Sequence, residues 1–256
     1  MLLARAAAAR GVKVLALGWQ GKVDEQLEVS VPRLNLYPFG LLEGMLELMA
    51  KEKIKKAMLA GKFHKGWLYH GGVETDEEGQ RILRKLKNHQ DDTMLDLVAD
   101  LLLERGIEVV DNTEYIRDWL APMGVLTDRH PTGAQEKDIE FGMSMTREIG
   151  RLGIGQSVVV KHGNVVAVEA MEHTDECIKR AGRLAGADTV VVKAARPGQD
   201  LRYDVPVVGM ETIRCLHQAR AAVLAIEAEK TILIERESLL RSANRQGLCI
   251  VGVKTG

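Results

Sequence analysis

The chain has 256 residues, 46% of them hydrophobic and 28% charged, enough to fill two modest domains and unlike a disordered or collagenous composition. Thirty-five Lys and Arg against 36 Asp and Glu give a net charge of -1, which excludes the basic excess of a nucleic-acid binder, so any anionic ligand must be met locally. Cys177, Cys215 and Cys249 lie far apart without zinc spacing and read as buried thiols of a reducing cytosol, and no apolar run approaches the ~18 residues of a membrane span.

The opening MLLARAAAAR looks like a signal sequence, but Arg5 and Arg10 interrupt it and no polar cleavage region follows. It predicts a helix over Leu2–Ala9, stopped by Gly11, then a buried strand over Val12–Leu17. Glu28–Val31 predicts an extended piece leading through Pro32 and Pro38 to a helix with Leu41, Leu42, Met45, Leu48 and Met49 at helical spacing. Ala57–Ala60 reads as a short strand ending in Gly61 and Lys62, and the stretch to Gly79 as a ligand-sized loop. Helices around Glu78–Lys87 and Asp91–Arg105 and a strand over Ile107–Val110 complete an alternation that predicts a parallel sheet. Ala121–Ala134, punctuated by Pro122, Gly124, Pro131 and Gly133, reads as an interdomain linker and places the domain boundary at residues 130 and 131.

In the second half a helix is predicted near Gln135–Leu152, then strands over Ser157–Val160 and Val165–Ala170 joined by a hairpin turn at Lys161–Asn164. Further strands are expected at Thr189–Val192, Val205–Val208, Ala222–Ile226, Thr231–Ile234 and Leu248–Val253, with helices near Thr174–Leu184, Glu211–Arg220 and Glu235–Gln246. The expected architecture is therefore α/β, with a mixed α/β second domain over residues 131–256. The first domain is odd in one respect, because a helix rather than a strand and phosphate-facing loop opens it.

The stretch VVVKAARPGQDLRYDVPVVG from Val190 sets Lys193, Arg196 and Arg202 beside Asp200 and Asp204 between two predicted strands. A pyrophosphate repels nucleophiles through its own negative oxygens, so its hydrolysis needs cations, and a carboxylate to hold metal or water. Spacing alone leaves the blander reading ahead, with Asp204 satisfying turn amides at a strand entrance set by Pro206 and the basic residues solvating a loop. Glu169, Glu172 and Asp175 form a second carboxylate cluster, in which Thr174 reads as a helix cap. Glu169 stands in an apolar strand, where an acid is costly unless paired or bound to a cation such as Mg²⁺. Gly61 and Lys62, with His64 and Lys65 beyond, end a strand on the usual ligand-facing side, while Asp91 and Asp92 read as helix N-terminal acids. No H-E-x-x-H pair, G-x-S-x-G elbow or P-loop is present.

The segments REIGRLGIGQSVVVKHGNVVAVEAMEHTD from Arg147 and VKAARPGQDLRYDVPVVGMETI from Val192 resemble the C-terminal domain of LpxI-type UDP-2,3-diacylglucosamine pyrophosphatases. LAGK at Leu59 and QDDTML at Gln90 extend the resemblance more weakly to the first half. The resemblance implies a cytoplasmic, Mg²⁺-dependent enzyme of lipid A biosynthesis, usually a homodimer, that splits UDP-2,3-diacylglucosamine into UMP and 2,3-diacylglucosamine 1-phosphate. It implies a Rossmann-like N-terminal domain and a smaller α/β C-terminal domain, with the family's essential aspartate falling on Asp204 of RYDVP. With the residue reading, it gives Asp204 as catalytic, Asp204, Glu169 and Asp175 as metal ligands, and Gly61, Lys62, Thr174, Lys193, Gln199 and Arg202 as substrate contacts. A lipid substrate implies encounters with the inner-membrane surface, although no basic amphipathic helix marks one.

The pattern departs in two places. His173 stands where the family commonly has Gly, and the glycine-rich segment expected near the start is absent, from which a chain beginning at an internal methionine is expected. Two other readings stand beside this one: a non-catalytic nucleotide-sugar or lipid-binding module, and a hydrolase of another nucleotide-diphospho sugar.

Overall fold

A computed structural model describes residues 2–23, 27, 31, 33–61, 74–88, 94–202 and 204–254. They fall into two compact α/β units, Met1–Ile116 and Arg117–Gly256.

In the first unit, α1 (Leu2–Ala9) forms where expected. Gly11 at φ 78° closes it, with Gly11 N–H donating to the Ala8 carbonyl at 2.9 Å and Val12 N–H to that of Ala7 at 3.2 Å, a left-handed exit that satisfies last-turn carbonyls. The exit leaves Val12 40% exposed, so the strand begins later than Val12, as β1 (Ala16–Trp19). Its parallel partner β2 (Leu34–Tyr37) is unforeseen, because LNLY is short and lies between two prolines that read as loop. Residues 28–30 of the expected extended piece lie outside the described residues.

After α2 (Glu43–Lys51), β3 (Lys56–Ala57) pairs in parallel with β4 (Glu108–Val109), both shorter than expected. Between them lie α3 (Glu77–Asn88) and α4 (Met94–Glu104), which buries Met94, Leu97, Ala99, Leu101 and Leu102. Asp76 serves two helix starts: its Oδ1 accepts from Gly79 N–H at 2.8 Å and its Oδ2 from Leu42 and Glu43 N–H at 2.5 and 2.7 Å. One carboxylate thus satisfies orphan donors of α2 and α3 and complements both dipoles.

The second unit is built on a six-stranded sheet ordered β5-β12-β10-β8-β6-β7. Its strands are β5 (Gly124–Val125), β6 (Ser157–Lys161), β7 (Asn164–Val168), β8 (Val190–Lys193), β10 (Val223–Glu227) and β12 (Cys249–Val253). β8, β10 and β12 are mutually parallel, and β7 shares their direction because β6 is antiparallel to both β7 and β8. The β6–β7 turn forms at the predicted place. His162 and Gly163 both have positive φ, 52° and 74°, as a two-residue hairpin with native twist requires. Asp138 of α5 (Gly133–Arg151) accepts both turn amides, at 2.9 and 2.7 Å.

Side-chain alternation gives the sheet two dry faces. Val190, Val192, Val223, Ala225, Cys249 and Val251 pack with Ile139 of α5. Gly142 lets that helix approach closely, since a Cβ there would lie 2.5 Å from Val192 Cγ2. Val159, Val191, Leu224, Ile226 and Ile250 face α6 (His173–Ala185), α7 (Met210–Gln218) and α8 (Arg236–Arg245).

One expectation changes here. Ala121–Ala134 is not a free linker: β5 pairs antiparallel with β12, Leu126 N–H donates to Ile250 O at 2.8 Å, and Ala121 is fully buried. Its prolines and glycines shape a short sheet edge and the approach to α5 rather than a spacer. The strands expected at Val205–Val208 and Thr231–Ile234 form, shorter, as β9 (Val207–Val208) and β11 (Ile232–Leu233), which pair in a separate two-stranded sheet.

Candidate functional site

In open α/β sheets the carboxyl ends of parallel strands face ligands, and the second unit gathers its charged residues there. β7 runs out at Glu169, β8 ends at Lys193 and β10 ends at Glu227, while β6 enters the same edge at Ser157, the register partner of Lys193. α6 and α7 start beside it, and their first turns are joined by Thr212 Oγ1 donating to Asp175 Oδ1 at 2.9 Å.

Glu169 is 8% exposed and both its oxygens are engaged. Oε1 accepts from the Thr174 hydroxyl at 3.0 Å and Oε2 from Gln156 N–H at 3.3 Å. Thr174 Oγ1 in turn accepts from Lys193 Nζ at 3.0 Å and lies 3.3 Å from Ser157 Oγ. A half-buried ammonium therefore forms one chain with a buried hydroxyl and a buried carboxylate, which removes much of the cost of burying the carboxylate charge. Thr174, foreseen as a cap, is the hinge of this network.

The connection from β8 to β9 carries the other charges as two ion pairs. Arg196 Nη2 meets Asp204 Oδ2 at 2.6 Å, both side chains a quarter exposed. Arg202 forks onto the Asp200 carboxylate at 2.6 to 3.0 Å on the more open side. Gln199 stitches the loop, its Oε1 accepting from Arg196 N–H at 2.7 Å and its Nε2 donating to the Asp204 carbonyl. Asp204 N–H also donates to the Asp200 carbonyl at 2.9 Å. The carboxylate is thus rigidly placed yet reachable. Gly150 at the end of α5 makes room for this loop, a Cβ there falling 3.1 Å from Pro197 Cδ.

The expected site residues therefore separate. Thr174, Lys193 and Glu169 meet in one network, Gln199 and Asp204 in the loop that follows β8, Arg202 pairs with Asp200, and Asp175 with Thr212. Gly61 belongs to the first unit, at φ 121°, and Lys62 lies outside the described residues. Two roles were not read from the sequence. One is Arg196 as the partner of Asp204. The other is Glu227, only 2% exposed, which accepts from Ala195 N–H at 2.9 Å and pairs with Lys230 Nζ at 2.7 Å. Its signal, an acid closing the apolar run VLAI, was the same one that singled out Glu169.

Among the described residues, no three His, Cys, Asp or Glu side chains gather into a metal cage. The cysteines are buried and free, and burial pushes the Cys177 thiol up to about 12 and that of Cys215 to about 11, which keeps both from acting as thiolates. A cavity of about 640 Å³, lined by Val125, Ile139, Met143 and Val251 among others, lies against the α5 face, away from the Lys193 network on the α6 side.

Residues 1–119 match the LpxI N-terminal domain and residues 122–251 the LpxI C-terminal domain. The chain belongs to the LpxI family. The UDP-2,3-diacylglucosamine pyrophosphatase LpxI of Caulobacter vibrioides is 33% identical over 189 residues, 70% of this chain and 68% of that protein. The C-terminal LpxI match contains the whole charged edge, from Ser157 through Glu227, so the family resemblance read from RYDVP holds across the fold that presents it.

Proposed function

We propose that this chain hydrolyses the pyrophosphate of UDP-2,3-diacylglucosamine to UMP and 2,3-diacylglucosamine 1-phosphate with Mg²⁺, and that Asp204 is the catalytic carboxylate. One observation carries the reading: Asp204, in the motif to which the resemblance assigns the essential aspartate, is held by Arg196 at 2.6 Å on the connection leaving the carboxyl end of β8. The Caulobacter relative supplies the substrate class.

The donors suit Mg²⁺, which keeps several waters and needs only one or two carboxylates besides substrate phosphate oxygens. Glu169 has both oxygens engaged, by Thr174 and Gln156, whereas Asp204 meets Arg196 through Oδ2 and Asp175 meets Thr212 through Oδ1; of these two, Asp204 stands in the family motif and is the oxygen ligand we assign. When bound, the ion would neutralise pyrophosphate oxygens and acidify a water. Lys193, steadied by Thr174, and Arg196, steadied by Asp204, offer the positive charge that phosphate oxygens require. Water oxygen forms the new P–O bond as its proton passes to bulk water, the bridging P–O bond breaks, and the departing phosphate keeps its electron pair. The same reading carries a homodimer that meets its lipid substrate at the inner-membrane surface. No helix among the described residues is long and apolar enough to cross a membrane.

UMP release from UDP-2,3-diacylglucosamine, measured with Mg²⁺, with EDTA and for Asp204→Ala, tests this. Turnover is expected only for the wild type with Mg²⁺. Undiminished turnover by Asp204→Ala overturns the assignment of Asp204. Binding without UMP release by the wild type makes the chain a binding module, and equal turnover of deacylated substrate makes it a broader nucleotide-sugar hydrolase.

A further inference from the structure

We infer that Glu227 is a positioning residue for this reaction, the side chain that fixes the root of the loop carrying Arg196 and Asp204. The inference rests on the hydrolase reading above.

Glu227 closes β10, the strand beside β8, one residue beyond the register partner of Lys193. Its burial would be unfavourable without donors, and donors are present: Ala195 N–H on Oε2 at 2.9 Å and Lys230 Nζ on Oε1 at 2.7 Å. The first of these matters for chemistry. Ala195 is the second residue after β8, where ladder hydrogen bonds have ended. The loop root is held on one side by Ala194 N–H donating to the Gln156 carbonyl at 3.1 Å, and on the other by the Glu227 carboxylate.

From Ala195 the restraint passes through consecutive short bonds. The next residue, Arg196, gives its N–H to Gln199 and its guanidinium to Asp204, and Gln199 returns to the Asp204 carbonyl. Releasing Ala195 therefore frees the peptide from which the Arg196–Asp204 pair is aimed. A misplacement of about 1 Å at a reacting group costs on the order of 100-fold in rate, while substrate binding is shared with groups that do not move. The consequence is a loss in kcat rather than a rise in KM.

The test compares Glu227→Ala, Glu227→Leu and Glu227→Gln in the full chain, with wild-type turnover measured alongside. Glutamine keeps an oxygen acceptor for Ala195 and removes the charge, whereas leucine fills the space without an acceptor and serves if alanine fails to fold. Expected is a kcat lower by about 10- to 100-fold for the alanine or leucine variant, with KM within about threefold, and recovery to within about fivefold of wild type for glutamine. A folded alanine or leucine variant with kcat within twofold of wild type overturns the role. So does a glutamine variant as slow as these, because charge rather than an acceptor is then what matters. Amide hydrogen exchange of the wild type gives a check independent of turnover: Ala195 N–H should be protected like β8, and exchange as fast as an exposed loop overturns the proposal. If the wild type itself releases no UMP while Ala195 is protected, the hydrolase reading fails and the anchor stands.

Discussion

Gly155→Ala should disturb stability and turnover together. A Cβ at position 155 would lie 2.2 Å from the Glu169 carbonyl oxygen, 2.8 Å from its carbon and 3.3 Å from its Cβ. Carbon and oxygen tolerate about 3.3 Å at their closest, so the two backbones must separate by about 1 Å. Glu169 is held by its own N–H on the Ser157 carbonyl at 2.9 Å, by Gln156 N–H at 3.3 Å and by Thr174 at 3.0 Å. A shift of that size lengthens the weakest of these beyond hydrogen-bond range. Overpacking of this kind costs about 1–3 kcal/mol, and one buried hydrogen bond adds about 1. For a unit of this size, that lowers the thermal midpoint by roughly 5–10 °C. Because Thr174 also carries Lys193, kcat for UMP release should fall on the order of 100-fold. Thermal unfolding by circular dichroism and single-substrate kinetics on the same preparation measure both. A variant with wild-type midpoint and wild-type kcat would show that Glu169 does not transmit position to Lys193.

Thr174→Val removes the hydroxyl shared by Glu169, Ser157 and Lys193, and should cost about 1–3 kcal/mol in denaturant unfolding as a buried carboxylate oxygen loses its donor; an unchanged midpoint refutes the network. His173 adopts φ 68° at the exposed start of α6, a left-handed conformation in which a side chain is strained. His173→Gly should therefore stabilise by about 0.5–1 kcal/mol after glycine's entropic cost, and a lowered melting temperature counts against this. Burial pushes the Glu172 carboxyl up, but backbone N–H groups and Arg180 outweigh it and hold it below the usual carboxylate range. A depressed carboxyl stabilises above its unfolded value of about 4.3 and loses that contribution as pH falls through its folded value. The urea midpoint of Glu172→Gln should thus lie below wild type at neutral pH and converge with it in acid, whereas a gap that persists in acid excludes the ionised carboxylate as its source.

Much of the second unit was readable because its strands are apolar runs with clear ends. VVVK, VLAIE and CIVGV each became a central strand, and K-H-G-N became the hairpin turn its composition demands. Local pattern failed where tertiary pairing decides. VPVV does form a strand, as its apolar look predicts, but the sheet it joins is set by its pairing with Ile232–Leu233. Pro122 and Gly124 are turn residues by any local rule, yet a partner more than 100 residues later, Gly252, makes Gly124 part of a strand. In the first unit, LNLY was hidden by its flanking prolines, although its alternation fits a half-buried strand.

The candidate site was partly legible for a related reason. An acid ending an apolar strand is costly unless something satisfies it, which singled out Glu169 and applies equally to Glu227. What sequence does not reveal is the satisfier: Thr174 and Gln156 for one, Ala195 and Lys230 for the other. With those partners in place, the two buried acids hold positions, whereas Asp204, to which we assign the chemistry, lies a quarter exposed on the loop between them. Asp204→Ala should accordingly behave unlike changes at the buried pair. Its ion pair with Arg196 is a quarter exposed on both sides, so its loss costs about 1 kcal/mol or less, a shift of a few degrees, while UMP release is abolished. A large destabilisation with the remaining turnover in proportion to folded protein would make Asp204 one more structural acid and move the chemistry elsewhere on the edge.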